Sequence, residues 1–194
     1  MRKNHGQISD ILDLWTRKRE FPKERKENQM SEQNGKQLAQ LLSSKMQEIM
    51  KLCEGLSEET ASRAPAGRWS PKEIISHLSG SEDGSFLPFL RLALVEDAPQ
   101  LDIEAENPFY TESRGAMSMK ELLAICEKVY SEMADFVAGL SDEQLQRKLY
   151  VPLFKDLPLT DHPSLAAFIS GIGGYHMEYH INHMKEILKE LGVS

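Results

Sequence analysis

The sequence predicts an all-α protein: a four-helix up-and-down bundle with a long crossover loop between helices two and three and short extended segments before helix four. Three observations carry this expectation. Apolar residues recur at three and four positions through four separate stretches, the repeat of a helix that buries one face. Helix-start chemistry precedes the second and third of them, with Ser70-Pro71-Lys72-Glu73 and Ser118 with Glu121 both spelling capping boxes. The stretch that suits extended structure, 147–160, is short and interrupted by Pro152 and Pro158.

The first bundle helix begins near Gly35 and presents Leu38, Leu42, Met46, Ile49, Leu52 or Cys53, and Leu56 on one face, with Gly55 and Pro65 closing it. In the second, Ser70 caps, Pro71 takes the first helical position, and one face runs through Ile74, His77, Leu78, Ser81, Gly84, Ser85, Pro88, Leu92 and Val95. Pro88 is expected to kink that helix or end its first part. Residues 96–115 are acidic and irregular, and form the crossover loop. The third helix carries the seam Met119, Leu122, Cys126, Val129, Met133, Phe136 and Leu140. The fourth starts at Asp161-His162-Pro163 and ends at Gly192. A weak echo, Gly55-Leu56-Ser57-Glu58-Glu59 against Gly139-Leu140-Ser141-Asp142-Glu143, relates the two halves as helix pairs.

A chain of 194 residues supports one domain with a tail. Residues 1–29 hold eight Lys and Arg against five Asp and Glu, whereas the remainder holds fifteen against twenty-five. They read as a basic extension, partly disordered or a short helix, ahead of a bundle over 30–194. A net charge of −7 disfavours nucleic-acid and anionic-membrane binding, both of which need a positive contact surface. No apolar run reaches membrane-span length and the N-terminus lacks a secretory core, so a cytoplasmic protein with a small-molecule substrate is expected, a homodimer being compatible with this. Cys53 and Cys126 sit in helical apolar patterns and read as buried thiols.

Half of the six histidines lie in the last helix, where His176, His180 and His183 share a stripe with Leu165, Ile169, Ile172, Ile187 and Leu191. Two imidazoles one turn apart chelate a metal ion, and His77 on the inward face of helix two supplies a third nitrogen. His176 and His183 are separated by roughly 10 Å along the axis at 1.5 Å per residue, too far to share an ion. The pair is therefore His176 with His180, the usual i, i+4 chelate, or His180 with His183. Ser81, Gly84 and Ser85 are too small to fill a core layer and leave a substrate cavity beside His77. Glu73 either orients His77 from behind or serves only as a cap. The zinc-protease pattern fails because Met177 stands where its glutamate belongs, and the diiron Glu-x-x-His spacing is missed, since Glu73 is four residues before His77.

The run Trp69-Ser70-Pro71-x-Glu73-Ile74-x-x-His77-Leu78, the Leu/Pro-rich piece and His176-x-x-x-His180 on the last helix together resemble the DinB-like superfamily of metal-binding four-helix bundles. The resemblance spans about 36–191 and leaves the first 29 residues outside. It implies a metal triad of His77, His176 and His180; the spacing reading keeps His183 and Glu73 as outer groups or alternative ligands. It also implies a divalent ion, Zn²⁺ or Ni²⁺ before Fe or Mn, that activates a low-molecular-weight thiol or water against a small electrophile. Thiol S-transferase-like chemistry is the leading expectation. The alternatives are a metal-dependent hydrolase and a non-catalytic stress-related or binding bundle with a structural or vestigial site.

Overall fold

Asn34 opens the first bundle helix with a capping box, its side chain accepting the Gln37 N–H while the Gln37 side chain accepts the Asn34 N–H. The computed structural model describes residues 34–82, 86–104, 107–156 and 160–193. The expected basic extension over 1–29, and Gly84 and Ser85, lie outside the described residues. Helix α1 (Gly35–Cys53) buries Leu38, Leu42, Met46, Ile49 and Cys53 of the predicted stripe and Ala39 beside them, while Leu56 lies past its end and is partly buried. A short α2 (Glu58–Ser62) follows, capped by Ser57, and α7 (Asp142–Leu145) is its counterpart, capped by Ser141. The two echoed sequence segments thus form equivalent capped turns, each after a long helix.

Helix α3 (Pro71–Ser79) starts as predicted, with Ser70 accepting the Glu73 N–H and Glu73 accepting the Ser70 N–H. It does not run on to Val95. Gly80 adopts φ 76°, a left-handed value that glycine reaches at little steric cost, and ends the helix there. The chain becomes helical again as α4 (Leu87–Val95), where Pro88 occupies the first turn, its missing N–H costing nothing. Pro88 therefore helps start a helix rather than kink one.

The crossover contains a short α5 (Glu112–Ala116) before α6 (Met119–Ala138), whose Ser118–Glu121 capping box is in place. Tyr130, Ala134 and Val137 join Met119, Leu122, Cys126 and Met133 in its buried face, with Val129 and Phe136 only partly buried, so the stripe follows a 3.6-residue repeat rather than a strict heptad. Among the described residues there is no strand. The segment before the last helix makes two single bridges, Lys148 with Ser164 and Tyr150 with Gln100, and then a 3₁₀ turn (Pro152–Asp156) where a second extended piece was expected.

The last bundle helix consists of α8 (Leu165–Ser170), a π-helical turn (Gly171–His176) and α9 (Met177–Glu190) in direct succession. Helix α6 lies antiparallel along α1, with Cys126 against Met46 and Gly35 beside Val137 and Leu140. α9 packs on both α1 and α3, completing the four-helix bundle. Both cysteines are free and buried, and burial pushes each thiol up to about 12. Among the described residues no helix is long and apolar enough to cross a membrane.

Candidate metal centre

Three helical segments bring three imidazoles together. His77 lies in the final turns of α3, His176 ends the π turn, and His180 lies one turn into α9. Their Nε2 atoms face one another, at 3.0 Å between His77 and His176 and 3.2 Å between His176 and His180. One ligand-type atom from each ring lies within 4.8 Å of the others. Bonds of about 2.1 Å meeting at tetrahedral or octahedral angles hold their donor atoms roughly 3.0–3.4 Å apart, so these separations suit one small divalent cation.

The protonation states agree with that fit. The Nδ1–H of His77 donates to the Asn107 backbone carbonyl at 2.7 Å. A carbonyl only accepts, so the proton is on Nδ1 and the His77 Nε2 carries a lone pair. The His176 Nε2 stands between His77 and His180 and holds one proton at most, which cannot satisfy both short contacts fully. A shared cation satisfies all three nitrogens. Among the described residues, Nδ1 of His176, His180 and His183 is buried with no hydrogen-bond partner.

Burial lowers the basicity of every ring here. His176 falls to about 3, through burial and then the neighbouring His77. His180 falls well below its ordinary value through burial and the rings of His176, His77 and His183. His77 is lowered by burial, against which the Asn107 carbonyl works. At neutral pH the three rings are uncharged, the form that ligates a cation.

Trp69, buried just before the α3 cap, forms the apolar wall. Its ring lies 6.1 Å from His180 and nearly parallel to it, at 6°, and also packs against His77 and His183. Phe109 lies 6.3 Å from the His77 ring at 12°. His183 is buried beside Trp69 and Tyr179, outside the converging trio. Glu73 is engaged at the Ser70 N–H, and the group on the His77 Nδ1 is the Asn107 carbonyl. Ser81 is exposed past the end of α3, on an open pocket of about 380 Å³ that it lines with Glu82, Asn107, Phe109, Tyr110 and Thr111. This pocket adjoins the Nδ1 side of His77, because Asn107 and Phe109 belong to both.

Sequence reasoning did not assign Trp69, Asn107 or Phe109 a place at the centre. The available signals were slight: a tryptophan immediately before a helix cap, and the turn-forming dipeptide Asn107-Pro108 in the crossover.

The profile of the DinB superfamily matches residues 41–184. The solved structure of YfiT from Bacillus subtilis, described as a probable metal-dependent hydrolase with an unusual four-helix bundle topology, is similar to the chain at a TM-score of 0.67 and 19% identity, over 92% of this chain and 94% of that one. No curated protein matches the chain.

Proposed function

The chain belongs to the DinB superfamily, and from that premise we propose that it is a metal-dependent enzyme whose ligands are His77, His176 and His180. The observation that carries the proposal is the convergence of three neutral Nε2 atoms at 3.0 and 3.2 Å. A divalent cation held there, Zn²⁺ or Ni²⁺ first, supplies Lewis acidity that lowers the pKa of a water or of a low-molecular-weight thiol.

The protein's own contributions follow from its geometry. His77 presents Nε2 because its Nδ1–H is committed to Asn107. Trp69 stacks on His180, and Phe109 stacks on His77. The pocket lined by Ser81, Glu82 and Tyr110 lies on the Nδ1 side of His77, away from the three converging Nε2 atoms, so it borders the loop rather than the cation position. Activation of a small protic nucleophile against a small electrophile is the reaction class these features support. The description of YfiT as a probable hydrolase favours water as that nucleophile, and the thiol reading is what resemblance to the DinB-like superfamily implies, three neutral nitrogen ligands suiting either.

Two measurements test this. Elemental analysis of untagged protein is expected to give one divalent metal per chain, lost in His77→Ala and His180→Ala; unchanged metal in both variants refutes the site. Zinc- and nickel-loaded protein, assayed with a nitrophenyl ester and with chlorodinitrobenzene plus a cellular thiol, is expected to turn over at least one in a metal-dependent manner. Hydrolysis alone discards the transferase version, and conjugation alone discards the hydrolase version.

A further inference from the structure

We propose that the crossover loop is part of the metal centre: Asn107 positions His77 for ligation by fixing the carbonyl that receives its Nδ1–H, and an occupied site in turn holds the loop. The inference rests on the metal reading above and extends it to residues outside the ligand set.

Among the described residues, His77 is the one of the three ligand rings whose Nδ1 is bonded to another group. That partner is a backbone carbonyl in a loop 30 residues away, so its aim depends on local loop geometry. Asn107 sets that geometry with its own side chain, whose Oδ1 accepts the Phe109 N–H at 2.8 Å and closes a small turn over Pro108. Its Nδ2 donates to Glu104 at 2.7 Å. Phe109 is then held at φ 46°, a left-handed value uncommon for a bulky residue, which persists only where the surroundings enforce it.

The surroundings that enforce it come from the same turn of α3 that carries His77. The Phe109 carbonyl accepts from the Ser76 hydroxyl at 3.0 Å. Buried Arg114 donates to the Ser76 carbonyl at 2.8 Å and to the Gly80 carbonyl at 2.6 Å, tying α5 to the end of α3. The loop therefore grips the residues on either side of His77 while its Asn107 carbonyl and Phe109 ring set the imidazole's tilt. Outer hydrogen-bond partners of ligating histidines alter metal affinity by about 10- to 100-fold. Coupling of this kind is reciprocal, so the metal must stabilise the loop by the same factor that the loop strengthens the metal.

The test is cobalt titration of the untagged full chain, read by visible absorption, with Asn107→Ala and Asn107→Ser. Asn107→Ala is expected to weaken Co²⁺ binding by about 10- to 100-fold and to shift the bands, because the His77 ring loses its fixed tilt. Asn107→Ser keeps an oxygen for the Phe109 N–H and is expected to restore both affinity and spectrum toward wild type. Hydrogen exchange over 107–117 should slow when cobalt binds the wild-type chain, and slow less in Asn107→Ala. Wild-type affinity and spectrum in Asn107→Ala overturn the positioning role, and exchange that ignores cobalt overturns the reciprocal half. Failure of the wild type to bind cobalt defeats the metal reading itself, and this inference with it. Circular dichroism of both variants, expected unchanged because Asn107 lies outside every helix, separates these outcomes from misfolding; a spectrum and affinity lost equally in Asn107→Ala and Asn107→Ser count against the role of the side-chain oxygen.

Discussion

His183 is the residue on which spacing and geometry part. Its ring centre lies 6.1 Å from that of His180, whereas His77 and His176 both come within 4.6 Å of the same ring. A three-residue step on a helix turns the side chain about 60° away from its neighbour, and here the turn carries His183 onto Trp69. Burial, then the Arg68 charge, lowers His183 to about 4, so it is neutral but directed elsewhere. Chelator competition for zinc is expected to show His183→Asn within about threefold of wild type and His180→Ala weakened by more than about 100-fold; comparable losses would put His183 in the ligand set. The chain's spacing favoured the i, i+4 pair His176 and His180, and those are the two rings that the fold brings up to His77. The Asn107 carbonyl was not legible in the chain, because any residue offers a carbonyl and only the folded loop decides which one meets His77.

Helix boundaries were legible where side chains form the cap, as at Ser70, Ser118 and their glutamates, and illegible where backbone conformation decides. Gly80 ends α3 through its φ, and although a glycine followed by Ser81, Glu82 and Asp83 is a stop signal, the spacing that continues to Val95 outweighed it in the sequence. The π turn was hidden because it too is a matter of backbone conformation. Gly173 and Gly174 occupy it, and a Cβ on Gly173 would sit 2.8 Å from Leu42 Cδ2, so the turn lies close against α1 as it delivers His176. Two glycines at helix positions make opposite predictions. A Cβ on Gly35 would collide with the Val137 carbonyl of α6, which is backbone and cannot swing aside, so Gly35→Ala is expected to destabilise by about 1–3 kcal/mol. A Cβ on Gly171 meets nothing within 4 Å and the backbone there is right-handed, so Gly171→Ala is expected to stabilise by up to about 1 kcal/mol. Urea unfolding measures both, and equal signs would contradict this packing of the first and last bundle helices.

The bundle buries uncharged imidazoles beside its apolar core, and its stability should report that. In the unfolded chain histidine protonates near its ordinary value of about 6.5, whereas burial holds His183 near 4 and His176 near 3 in the fold. The unfolded state therefore binds protons first as pH falls. Stability is full above about pH 6.5 and declines below it, each such imidazole contributing up to about 1.4 kcal/mol per pH unit until its folded value is reached. Urea midpoints of metal-free protein between pH 7.5 and 4.5 should fall accordingly, and a flat profile would contradict burial of neutral rings. Bundle class was readable from periodicity, a one-dimensional pattern, while spacing only narrowed the candidate pair on the last helix to His176 with His180 or His180 with His183. What joins them, Trp69 stacked on His180 and a crossover gripping α3, depends on contacts between distant residues. The central claim is that these contacts focus three nitrogens on one cation. An anomalous difference map at the zinc edge, from crystals of untagged protein supplied with zinc, is predicted to show one peak about 2.1 Å from Nε2 of His77, His176 and His180; no peak there, or a peak bound by His183 in place of His176, would contradict it.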